Sequence, residues 1–151
     1  MTFADNAGVR IYYEVVGAGR PLVLHHGYSD SLTTWNELGY VSAFAERRQV
    51  IVLDARGHGG SDKPHDPIAY SWDRHTDDVI AVLDAEHIET ADFYGVSMGG
   101  SVGIAPCDSG TEPVLVTDHR RRRRRDAAWP GLRRVAGPGC AGVDGRMGAA
   151  G

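Results

Sequence analysis

The sequence predicts an α/β fold: a mostly parallel sheet opened by an N-terminal antiparallel hairpin, with a disordered C-terminal tail. Three observations carry this. Leu22–His25 and Val50–Leu53 are short, almost wholly apolar runs without the in-and-out alternation of a half-solvated strand, so they read as strands buried on both faces. Trp72, Thr76, Val79 and Leu83 recur at i, i+4, i+7 and i+11, one face of a helix. Ala91–Tyr94 is a further strand run, reached only through that helix. Strand, helix, strand in that order demands a crossover, and crossovers make parallel neighbours.

Taken from the N-terminus, Val9–Val16 is β-branched and aromatic, and Gly17-Ala18-Gly19 ends it in the manner of a hairpin turn. Leu22–His25 follows and breaks at Gly27. Val50–Leu53 closes on Asp54 and the glycine-rich Arg56-Gly57-His58-Gly59-Gly60. The helix over 72–83 has Ser71 placed to cap it, and Asp73, Arg74, Asp77, Asp78 and Asp84 make its solvent face. Asp66 is read as a solvated acid too, and His65, His75 and His87 as exposed. Ala91–Tyr94 runs into Gly95-Val96-Ser97-Met98-Gly99-Gly100, where a helix of small residues begins, and Pro106 interrupts it after about two turns.

At Pro106 the composition changes. From there to Gly151, Arg, Gly, Ala and Pro supply 27 of 46 residues, and Arg120–Arg125 is an unbroken arginine run. A segment so poor in apolar surface cannot offset its ordering entropy; apart from a short strand candidate at Val114–Val116, it is expected to be disordered. Its bias towards residues with GC-rich codons resembles an out-of-frame translation. The chain therefore divides into residues 1–105 and a tail over 106–151. Charge divides the same way: 7 bases against 15 acids before the boundary, 9 bases against 5 acids after it.

Composition also excludes classes. Apolar stretches such as Val79–Leu83 fall far short of the roughly 20 residues that span a bilayer, so no membrane partner is expected. Met1-Thr2-Phe3-Ala4-Asp5 has no basic region leading into an apolar core, so no secretory signal is read there. Cys107 and Cys140 form no disulfide framework and match no metal spacing. A cytoplasmic protein without metal or cofactor is expected.

Chemistry concentrates at Gly95-Val96-Ser97-Met98-Gly99, a G-x-S-x-G placed between a strand and a helix. A serine at the tip of so sharp a turn is held in a strained conformation, and the flanking glycines remove side chains that would clash there. The hydroxyl is thereby exposed, with the helix N-terminus behind it favouring developing negative charge. His25-His26-Gly27-Tyr28 is the second element. The Tyr28 amide and the Met98 amide together would bind the oxygen of a tetrahedral intermediate. The His25 and His26 rings read as packing or hydrogen-bonding groups, because such a hole needs backbone amides.

With Asp54-Ala55-Arg56-Gly57-His58-Gly59-Gly60-Ser61-Asp62-Lys63-Pro64 between them, these blocks resemble the α/β-hydrolase fold family, in its group of serine esterases, lactonases and non-haem peroxidase-like proteins. Leu24–Gly27 with Trp35 after it, the 54–64 block and Gly95–Gly100 carry the resemblance over about residues 8–105, as the N-terminal portion of a truncated hydrolase sheet. The resemblance implies Ser97 as nucleophile, an oxyanion hole from Tyr28 and Met98, and a small ester-like substrate. Serine rather than aspartate at this position implies acyl transfer to water. The 54–62 cluster reads as a turn whose polar side chains lock the loop beside the site.

Serine also needs a base, and the base an orienting acid. In this fold both come late in the chain, on later strands. Only 54 residues follow Ser97, and their one histidine, His119, adjoins Asp118, too close to make an Asp–His–Ser line. Without those later strands the sheet edge beside the nucleophile strand is expected to be open. An incomplete, inactive hydrolase is therefore expected. Two alternatives stay open. One is a non-catalytic fragment or split-gene subunit completed by a separate C-terminal chain or an oligomer. The other is a module whose Arg120–Arg125 run binds anionic polymers, salt-sensitively and without sequence specificity, so no specific nucleic-acid partner is expected.

Overall fold

A computed structural model describes residues 1–104 and the pair Val116–Thr117; the Arg120–Arg125 run, both cysteines, the Asp118–His119 pair and the disorder expected of the rest of 106–151 lie outside the described residues. β1 (Thr2–Asn6) and β2 (Val9–Val16) pair antiparallel. Ala7 and Gly8 join them with φ of 52° and 84°, the mirror-image turn that matches strand twist in a two-residue hairpin. β2 continues antiparallel onto β4 (Arg48–Leu53), and β3 (Arg20–His25) lies parallel on the far side of β4. β5 (Asp92–Gly95) runs parallel to β3, and with β6 (Val116–Thr117) beyond it the order is β1-β2-β4-β3-β5-β6.

The N-terminal hairpin is thus β1 with β2, and Gly17-Ala18-Gly19 does not close one, because β4 separates β2 from β3. Those glycines serve a crossing instead. At Gly17, φ 79°, a Cβ would stand 2.5 Å from the carbonyl oxygens of both Ala45 and Arg48. β6 (Val116–Thr117) pairs parallel with β5, Val116 opposite Phe93, so two residues cover part of the edge that was expected to be open.

Both faces of the parallel strands are buried, which is why their sequences run apolar without alternation. Leu22, Leu24, Val50 and Val52 pack under Leu32, Trp35 and Val41, carried by the region of α1 (Thr33–Glu37) and α2 (Tyr40–Ala45). Val23, Ile51, Leu53 and Phe93 pack on the other face against Val79, Val82 and Leu83 of α3 (Trp72–Ala85) and Val102 of α4 (Met98–Ile104). Among the described residues, no helix is long and apolar enough to cross a membrane.

Ser71 caps α3 as its sequence suggests, its hydroxyl accepting from the Arg74 amide. Three positions of that helix differ from expectation. Trp72 is half exposed, whereas His75 and Asp78 are buried. Asp78 is no solvated acid: its carboxylate accepts from Arg56 Nε and Nη2 at 2.7 and 2.5 Å and from Asn6 Nδ2 at 2.8 Å. Arg56, itself 1% exposed, also donates to the Ala69 carbonyl at 2.6 Å. This ion pair ties the loop after β4 to both α3 and the first hairpin. Removing one partner leaves a buried charge alone, so Asp78→Ala is expected to lower the unfolding free energy by about 3–5 kcal/mol. The neighbouring, half-exposed Asp77→Ala should stay within about 0.5 kcal/mol. Urea unfolding of both variants, followed by circular dichroism, measures the contrast.

Candidate active site

The register of the parallel strands assembles the site. His25 stands opposite Leu53 on one side and Gly95 on the other, so the segments leaving β3, β4 and β5 emerge along one edge. That carboxyl edge is where ligands bind in open α/β sheets. Tyr28, the 54–62 block and Ser97 all lie on those segments.

Ser97 sits between β5 and α4 with φ 53°, in the left-handed region that a non-glycine residue rarely enters. It is exposed, whereas Gly95, Met98, Gly99 and Gly100 around it are buried. The flanking glycines are sterically required. A Cβ on Gly95 would run into the backbone of Gly99, and one on Gly99 into the carbonyl and ring of His25. The turn is stitched to the end of β3 by two backbone bonds, Val96 N–H to His25 O at 3.1 Å and Gly99 N–H to His26 O at 3.2 Å. Gly27 completes the approach: a Cβ built on it would stand 3.7 Å from Ser97 Cβ. Tyr28, the next residue along, is 75% exposed.

His25 and His26 support this arrangement from beneath. The Ala55 amide donates to His26 Nε2 at 3.0 Å, so the ring's proton is on Nδ1, which faces the Gly27 carbonyl at 2.7 Å. Both nitrogens are used, and burial pulls the His26 pKa below its ordinary value. Asp54, 4.0 Å from that Nε2, consequently makes no ion pair with the neutral ring. His25 places Nδ1 3.1 Å from the His26 carbonyl, and burial, reinforced by neighbouring His26, lowers its pKa to about 3. His26 thus has both ring nitrogens committed, and His25, with its pKa lowered to about 3, is a weak base.

The 54–62 block is a lock, as its sequence suggests. Asp54 Oδ1 accepts from the Leu32 amide and Oδ2 from the Gly60 amide, each at 2.7 Å, fixing the two loops that flank the site. Ser61 donates to Asp54 O and accepts from the Tyr12 amide, and Asp62 pairs with Arg10. His58 reaches further than the sequence reveals, placing Nε2 2.5 Å from the Tyr28 carbonyl.

Among the described residues, Ser97 Oγ has no hydrogen-bond partner, and no three His, Cys, Asp or Glu side chains converge as metal ligands. The structure thus brings Ser97, Met98, Gly95, Gly99 and the Tyr28 segment together. His119 and Asp118 lie outside the described residues. What sequence reading missed is the burial of His75 and Asp78. Both lie on the flank of the apolar stripe of α3, three residues apart, and that spacing was the available signal.

Residues 20–107 match the family model for the alpha/beta hydrolase fold, and the chain belongs to that family. It is 39% identical over 100 residues to a 2-hydroxymuconate semialdehyde hydrolase of Pseudomonas sp. (strain CF600), covering 66% of this chain and 35% of that protein. Among solved structures it resembles an N-acyl homoserine lactone degrading enzyme, with a TM-score of 0.66 and 40% identity over 76% of this chain and 42% of the other. The enol-lactonase of Burkholderia xenovorans LB400 superposes with a TM-score of 0.64 at 31% identity, over 70% of this chain and 41% of that one. The chain thus spans only about a third of the length of the curated relatives it matches.

The buried histidines give the fold a pH dependence of definite sign. His25, His26 and His75 all have pKa values lowered mainly by burial, so they are neutral in the folded chain. Unfolded, each would titrate near about 6.5, so the unfolded chain takes up protons first as pH falls. Stability is then fully present above that value and is lost below it, by up to about 1.4 kcal/mol per pH unit for each histidine. For His25 the loss continues down to about 3. Urea midpoints should therefore fall steadily from neutral pH towards about pH 5. A midpoint that is flat over this range contradicts the assignment of neutral rings.

Proposed function

We propose that the chain carries the nucleophile of a serine hydrolase that cleaves carboxylic esters or lactones. In this reading 1–105 is the N-terminal portion of the catalytic domain and 106–151 an appended tail. The observation that carries it is Ser97: exposed, left-handed, at a strand-to-helix turn, with the Gly27–Tyr28 segment beside it. Relatives whose names describe an enol-lactonase and an N-acyl homoserine lactone degrading enzyme support the substrate class.

The chemistry follows from that geometry. Ser97 Oγ adds to the carbonyl carbon, its proton passes to a base, and the carbonyl oxygen becomes an oxyanion held by the Tyr28 and Met98 amides. Collapse expels the alcohol, or opens the lactone, and leaves an acyl group on Ser97. Water attacks that ester with the base's help, releasing the acid and restoring the hydroxyl. Holding the oxyanion is work for groups present here. For taking the proton, the described residues offer Ser97 Oγ no base, and His26 has both nitrogens committed. We therefore read the chain alone as an incomplete and inactive hydrolase.

A serine hydrolase stripped of its base keeps only the acceleration due to binding and the oxyanion hole, roughly 10³–10⁴ over water. Purified chain should accordingly show little or no turnover of p-nitrophenyl acetate, and Ser97→Ala should change that background by less than about tenfold. A fluorophosphonate should label Ser97 weakly, as located by mass spectrometry. Comparison with Ser97→Ala is essential, because exposed histidines such as His65 hydrolyse activated esters unspecifically. Labelling confined to other residues overturns the nucleophile assignment. Steady turnover abolished by Ser97→Ala and equally by His119→Ala shows instead that the tail supplies the base. Turnover that appears only on adding a second chain marks the protein as one subunit of a split enzyme.

A further inference from the structure

His58 takes no part in the proposed reaction, yet it touches the proposed oxyanion segment through both its edge and its face. Nε2 lies 2.5 Å from the Tyr28 carbonyl oxygen, and the ring stands edge-on to Tyr28 at 5.6 Å and to His26 at 5.1 Å between centroids. On the opposite side Nδ1 lies 3.1 Å from the Arg56 carbonyl oxygen. Carbonyl oxygens only accept, so each contact requires an N–H on the ring. A neutral imidazole has one N–H and an imidazolium has two. Making both bonds at once therefore takes two ring N–H groups, and a neutral ring must surrender one of the two.

We propose that His58 is a positioning residue for the oxyanion segment: doubly protonated, it ties the Tyr28 carbonyl to the Arg56 carbonyl, and on losing a proton it lets one of them go. Significance for the hole rests on reading Tyr28 as an oxyanion donor; the tie itself does not. Arg56 is the fixed end, because its guanidinium is buried against Asp78. Tyr28 is the end free to move, 75% exposed on a segment whose internal backbone bond is Asp30 N–H to Gly27 O at 3.2 Å. The groups that interact with His58 are His25 at the end of β3, His26 and Tyr28 just after it, Arg56 from its own loop, and His75 from α3, while Asp54 and Asp78 act on His26 and His75 in turn. His25, His26 and His75 are held neutral by burial.

Imidazole ¹⁵N shifts and amide hydrogen exchange of the full 151-residue chain, from about pH 5.5 to about pH 8.5, test this without any turnover. At the acid end both His58 nitrogens should carry hydrogens and the Asp30 amide should be protected. As His58 loses its proton, Asp30 protection should fall about tenfold beyond the intrinsic pH dependence of exchange. His58→Ala should show the low protection at every pH. His58→Gln, whose side-chain amide can still donate to the Tyr28 carbonyl, should restore protection and make it independent of pH. Unchanged amide shifts along β4 identify folded variants, and the wild-type titration decides the question if the alanine variant does not fold. A His58 ring with a single N–H throughout overturns the proposal, as does equal Asp30 protection in wild type and His58→Ala. None of these readouts involves Ser97, so failure here leaves the nucleophile reading standing, and absent Ser97 labelling leaves this one standing.

Discussion

The close approach of Gly99 to the end of β3 is the contact on which the site depends. Two amides of the serine turn, from Val96 and Gly99, reach the carbonyls of His25 and His26, and no side chain fits between. This contact forces Ser97 into its left-handed conformation, because the chain must reverse from β5 into α4 within Val96 and Ser97. It also sets the Gly27–Tyr28 segment beside the serine. A strained residue persists only where its surroundings over-determine it, and here the parallel register of β3 with β5 does so.

Around that contact the molecule buries polar groups to fix loops rather than to gain stability. Asp54 spends both carboxylate oxygens on backbone amides of two different loops. Arg56 and Asp78 neutralise each other at the point where the loop after β4 meets α3 and the first hairpin. Desolvating such a pair costs about as much as its attraction returns, so its consequence is positional. The neutral histidines behave alike: His26 joins Gly27 to Ala55, and thereby the segment after β3 to the segment after β4. Three loops from three strands are held in one arrangement.

Much of this was legible in the chain. The apolar runs announced strands buried on both faces, the period of α3 announced its buried side, and the glycine-flanked serine announced the sharp turn. The hairpin strand β1 was not legible, because its turn places alanine rather than glycine or asparagine first in the positive-φ pair. Gly17-Ala18-Gly19 misled, because a glycine needed for close passage looks the same in sequence as one needed for a reversal. Asp77 and Asp78 are adjacent and chemically identical, and only the helix's rotation of about 100° per residue separates the half-exposed one from the buried one.

The sequence by itself determined the fold class, the family and the serine turn, because each follows from local pattern: hydrophobic period, glycine placement, motif spacing. Tertiary structure alone decided the partners. That β4 would insert between β2 and β3, that Asp78 would meet Arg56, and that His58 would reach across to Tyr28 are contacts between residues tens of positions apart. Such pairings depend on how whole elements stack, and a one-dimensional pattern records only which face of an element is apolar, not what that face will meet.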